Sequence, residues 1–78
     1  MIFKLFSLKD GIVKYDNVQA VRVKNGESNL LVLKDYVPII GDVNGKIEVI
    51  LNDTITYDNV KGYYICYNNV FNFIIEEL

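Results

Sequence analysis

Asn29-Leu30-Leu31-Val32-Leu33-Lys34-Asp35-Tyr36-Val37-Pro38-Ile39-Ile40-Gly41-Asp42-Val43 holds two apolar runs, Leu30 to Leu33 and Val37 to Ile40, around a polar corner. Each run is shorter than a typical helix and is bounded by turn residues, which predicts two strands buried on both faces. Pro38, the only proline, fixes its own φ and holds Val37 extended. The second strand is therefore expected to begin at or beside it.

The same reading extends outward in both directions. Ile2 to Leu8 predicts a strand stopped by Lys9-Asp10-Gly11, where the glycine can take a positive φ. A short extended piece, Gly11 to Tyr15, leads through Asp16-Asn17 into Val18 to Lys24. There Val21 and Val23 alternate with Arg22 and Lys24, so one face is expected to be wet. Asn25-Gly26 predicts a hairpin turn before the opening stretch, and Asn44-Gly45 a second turn after it. Lys46 to Leu51, Asn52-Asp53 and Thr54 to Tyr57 read as another hairpin. Gly62 to Tyr67 and Val70 to Ile75, joined by Asn68-Asn69, are the expected central strands, with Glu76 and Glu77 as charged gatekeepers. The whole predicts one all-β domain, 1–78, built as a small β-sandwich or flattened barrel of about eight mostly antiparallel strands.

Composition narrows function mostly by exclusion. A 78-residue chain with no histidine and one cysteine cannot build a histidine-dependent triad, a thiolate cluster or an intrachain disulfide. Cys66, between Ile65 and Tyr67 in a predicted strand, reads as a small core residue. Asp35, Asp42, Asp53 and Asp58 read as turn residues that bond locally, and the glycines match no phosphate-loop spacing. Neither a catalytic, a cofactor nor a metal site is expected. A net charge of −2 and a pI near 4.9 disfavour a polyphosphate partner, so nucleic acid is not expected. No apolar run is long enough to span a bilayer by a helix, and Lys4, Lys9 and Asp10 interrupt the start, which predicts a protein inside the cell. A short chain that is 51% apolar is expected to leave some of that surface uncovered for a partner.

Read end to end, the chain resembles the N-terminal β-sandwich domain of the epsilon subunit of F-type ATP synthase. Gly62-Tyr63-Tyr64-Ile65-Cys66-Tyr67-Asn68-Asn69-Val70-Phe71-Asn72-Phe73-Ile74 is similar in character to the family's Gly-Phe-Leu-Glu-Val, Asn-Asn, Val-x-Val-Leu pattern. Val32, Leu33, Val37, Pro38 and Ile39 keep register with its Ile-Leu-Pro-Gly-His-Ala-Pro-Leu stretch, and Gly11-Ile12-Val13 with its Gly-x-Val opening. The resemblance implies a non-catalytic subunit of a rotary F1-type or F1-like ATPase, with alpha- and beta-like chains, bound to the foot of a gamma-like shaft. It also implies a cytoplasmic place, peripheral at the inner face of the cell membrane. Tyr36 stands where the family has a corner histidine, and Leu8 and Gly41 are expected beside it on the side facing gamma. The family's acidic ring-facing loop is reduced to Glu27-Ser28-Asn29, and its C-terminal helical hairpin has no counterpart in these residues. These departures suit a diverged F1-like motor for surface motility or transport as well as an ATP synthase. A reading of another class, a single-stranded nucleic-acid-binding barrel, would use Tyr63, Tyr64 and Tyr67 to stack bases.

Overall fold

The computed structural model describes residues 1–76; Glu77, expected to share the gatekeeping role of Glu76, lies outside the described residues. Seven strands form: β1 (Ile2–Ser7), β2 (Gly11–Tyr15), β3 (Ala20–Asn25), β4 (Ser28–Leu33), β5 (Ile39–Ile50), β6 (Thr54–Tyr67) and β7 (Val70–Ile75). They make one sheet in the order β2-β1-β7-β6-β5-β3-β4. Among the described residues only the β1 to β7 pairing is parallel. The fold is all-β, and β6 and β7 are central as expected.

Seven strands form among the described residues where about eight were expected, and β5 and β6 each run on through residues that could have turned. Asn44-Gly45 lies inside β5, and Asp58-Asn59 inside β6. A Cβ at residue 45 would run into the backbone carbonyl of Lys24, so the glycine permits close strand approach and makes no turn. Asn25 pairs with Gly45 across the strands. Its side-chain Nδ2 donates to the Asp42 carbonyl, 2.8 Å, and its Oδ1 accepts from the Asn44 amide, 2.7 Å.

Asp58-Asn59 is a β-bulge. Between the pairs Gly45 with Val60 and Ile47 with Tyr57, β6 holds one residue more than β5, and Asn59 takes φ 54°. The extra residue switches parity along β6. Ile55 and Tyr57 turn inward before the bulge, and Val60, Tyr64 and Cys66 turn inward after it. β5 and β6 thereby pass through two layers of a flattened sandwich. One layer is β2-β1-β7 with the second part of β6 and the first part of β5; the other is the remainder of β6 and β5 with β3 and β4.

Phe3 links the layers, its ring stacked on Tyr57 at 6.2 Å and on Phe71 at 5.7 Å. Phe3, Phe71 and Phe73, with Val21, Val32, Val43, Ile47 and Val49, are fully buried. Cys66 is a core residue, and burial pushes its thiol pKa up. At the side of the sandwich the Tyr15 and Tyr57 hydroxyls meet at 3.1 Å. Burial first, and then that bond, hold the Tyr57 phenol well above its ordinary value.

Turn chemistry follows the residues. Asn68 and Asn69 both adopt positive φ, 51° and 61°, which the twist of a two-residue hairpin requires. In the β3 to β4 turn Gly26 alone does so, at φ 57°. The stretch Leu30 to Leu33 is not buried on both faces: Val32 is inside, whereas Leu31 and Leu33 are exposed on the outer face, where Leu31 stands opposite Arg22. Val37 and Pro38 stay outside any strand, and β5 begins at Ile39, directly beside the proline.

Candidate functional site

The outward faces of the two layers differ in chemistry. On the β3 side Arg22 and Lys24 reach Glu48 across the strands, at 3.9 and 3.5 Å. On the other side, residues that alternate with the core set line up in rows across five strands. One row runs Ile12, Phe6, Ile74, Tyr63 and Asp42; the next runs Lys14, Lys4, Asn72, Ile65 and Ile40. Tyr67 beside Val70 and Ile2 begins a third row. Ile40, Tyr63 and Tyr67 are 76%, 60% and 59% exposed. Aliphatic and aromatic side chains thus point to solvent here, with Lys4 and Asn72 set among them and Lys14, Asp42 and Lys61 around them. Lys14 is already paired with Asp16 at 3.6 Å. Exposed apolar side chains gathered on one face mark interaction sites on proteins.

Each position anticipated from sequence has a definite place. Tyr36 is exposed in the β4 to β5 connection, above a polar cleft that it lines with Asp35, Pro38, Asn68 and Asn69. The corner is clasped to the β6 to β7 turn. The Asp35 amide donates to Asn69 Oδ1, 2.6 Å, and Asn69 Nδ2 donates to Asp35 Oδ1, 2.9 Å. Asp35 adopts φ 62° to do this. Gly41 pairs with Tyr64 across the strands, and the Tyr64 ring occupies the space a Cβ on residue 41 would need. The ring is inside, stacked on Phe71 at 5.1 Å. Burial, then the charge of Asp42 and then the Tyr36 phenol raise the Tyr64 pKa. Gly41 therefore lies against Tyr64, whose phenol also feels the Tyr36 phenol.

Leu8 does not join them. It sits 94% exposed in the β1 to β2 turn, beside a shallow apolar cleft of about 220 Å³ lined by Phe6, Gly11, Ile12, Ile74 and Ile75. β1 runs parallel to β7, so this turn lies at the Ile75 end of β7 and the Tyr36 corner at the Asn69 end. A six-residue strand, about 20 Å, separates them.

Glu27-Ser28-Asn29 is not a loop: Glu27 belongs to a two-residue turn, and Ser28 and Asn29 open β4. The three tyrosines of β6 also divide, Tyr63 and Tyr67 facing out and Tyr64 in. Asp42 stands in a strand and not beside a turn.

The outward rows were legible only in part. Alternation in Gly62 to Tyr67 is hidden because both faces are apolar. Among the described residues no group of three or more His, Cys, Asp or Glu is arranged to hold a metal ion, and no helix is long and apolar enough to cross a membrane. No protein-family model and no curated protein matches this chain.

Proposed function

We propose that this chain is a non-catalytic binding module, an epsilon-like subunit of a rotary F1-type or F1-like ATPase that holds the foot of a gamma-like shaft. The observation that carries the binding role is the apolar outer face of Phe6, Ile12, Ile40, Tyr63, Ile65 and Ile74, on the reverse of a rigid core. A sheet face is pre-organised, so a partner that covers it gains apolar burial with little ordering cost. The motifs around Pro38 and Asn68-Asn69 support the epsilon-like assignment. Work in surface motility or transport fits the same module as well as ATP synthesis does.

Purifying the protein from its own cells tests the reading, with alpha-, beta- and gamma-like chains expected alongside it. Tyr63→Asp should then abolish capture of the gamma-like chain while changing the domain's stability by less than about 0.5 kcal/mol, as expected of an exposed site. Tyr36→Ala should weaken that binding by roughly thirtyfold, about 2 kcal/mol, if the corner is also an anchor. Recovery of nucleic acid instead, with tight low-salt binding of oligonucleotides lost in Tyr63→Ala, would favour base stacking on this face and overturn the proposal.

A further inference from the structure

One charge within the outer face of β1, β7 and β6 is unanswered inside the domain. β1 alternates strictly, with Phe3 and Leu5 in the core and Ile2, Lys4 and Phe6 outward, so Lys4 is partly buried between two apolar neighbours on its own strand. Across the ladder it stands between Lys14 of β2 and Asn72 of β7. Like charges directly opposite each other disfavour the pairing. Asp16 is taken up by Lys14 at 3.6 Å, which leaves two lysines to one carboxylate at this side of the sheet. Among the described residues Lys4 has no ion-pair partner. Asn72 is neutral, and its side-chain amide donates to the Ile65 carbonyl at 3.3 Å. The acids Asp42 and Glu76 gather at the other end of the face, around Tyr63 and with Lys61 among them. Three strand spacings, about 14 Å, separate the strands of Lys4 and Asp42, more than a Debye length of about 8 Å at physiological salt. Asp10 lies in the turn beyond Ser7.

We propose that the protein surface seated on this face presents an Asp or Glu carboxylate over Lys4, ringed by aliphatic side chains. The inference rests on the reading of the face as the seat of the shaft, and it specifies the chemistry of what covers it. A partner that buries Ile2, Phe6, Ile65 and Ile40 also takes Lys4, which stands among them, out of water. A desolvated ammonium is strongly unfavourable unless an opposite charge meets it. The described residues place no spare carboxylate beside Lys4, so the partner has to bring one. That carboxylate also relieves the opposition between Lys4 and Lys14. One acid suffices, because Lys14 keeps Asp16 and the row beyond Asn72 continues as Ile65 and Ile40. A polyphosphate is a poorer match, since it brings a row of charges to a face that is mostly aliphatic and aromatic.

Calorimetric titration of the gamma-like chain into the wild-type, Lys4→Met, Lys4→Arg and Tyr63→Asp domains tests the idea. Lys4→Met should weaken binding about thirtyfold or more, because the partner's carboxylate is then buried without its counter-charge, whereas Lys4→Arg should retain most of the affinity. The free Lys4→Met domain should melt no lower than wild type, since the opposed lysines are gone. A partner without a carboxylate gives the opposite result. Lys4→Met then removes a desolvation penalty and binds as well as wild type or tighter, which overturns the proposal. A lower melting temperature of free Lys4→Met, showing that Lys4 is already satisfied within the domain, or oligonucleotide binding that depends on Lys4, overturns it too. Failure of the wild-type domain to bind the gamma-like chain, or binding indifferent to Tyr63→Asp, is a separate result and removes the shaft reading on which this inference rests.

Discussion

Replacing Gly41 by alanine separates a packing role from a contact role at one atom's cost. The added Cβ would overlap the Tyr64 ring, which is buried and stacked on Phe71. Either the ring leaves its place or β5 moves away from β6. Forced overpacking costs about 1 to 3 kcal/mol, and a disturbed aromatic stack about 0.5 to 1.5 kcal/mol more. Against this, removing a glycine from a strand returns about 0.5 to 1 kcal/mol. The net expectation is a loss of about 2 kcal/mol, read in urea unfolding as a shift in midpoint at constant slope, or as a fall in Tm of about 8 to 16 °C for a domain this size. The decisive arm is the Tyr64→Ala background. With no ring to displace, Gly41→Ala should there be neutral or slightly stabilising. A Gly41→Ala domain within about 0.5 kcal/mol of wild type, or an equal cost in both backgrounds, would refute the packing argument.

Asn59→Val should cost about 1 to 3 kcal/mol, because a β-branched residue is strained at φ 54°, whereas Asn59→Gly should be tolerated; equal stability of the two variants by chemical denaturation would contradict the bulge. Asn69→Ala removes both bonds to Asp35 and an asparagine from a left-handed turn position, and thermal melting should show a loss of about 1 to 2 kcal/mol. Alkaline stability should follow Tyr57 and Tyr64. Both phenols are raised above 10, chiefly by burial, so the stability linked to them is complete below about pH 10 and is lost as pH rises through and beyond it. Phenolate absorbance should therefore show two tyrosines ionising only together with unfolding; their titration in a still-folded domain would contradict their burial.

Strand identity came from local chemistry that needs no partner. β-branched and aromatic residues run between Asn, Asp and Gly, and Gly26 and Asn68-Asn69 turn because their backbones tolerate left-handed φ wherever they stand. Pro38 likewise marks the start of β5 through its own ring. What only tertiary structure decided was which turn signals stay silent and which apolar faces go inside. Asn44-Gly45 is as good a turn dipeptide as Asn25-Gly26, yet the side chain of Asn25 and the pairing with β3 hold it in a strand. Period-two alternation cannot say which of two apolar faces of β6 is buried, and one extra residue at Asn59 reverses the answer halfway along the strand. Hence Tyr64 is inside and Tyr63 outside, and the Tyr36 corner lies at the Asn69 end of β7 while Leu8 is a strand's length away. These facts depend on register and sheet order, which are set by the sum of long-range pairings and not by any short stretch of residues.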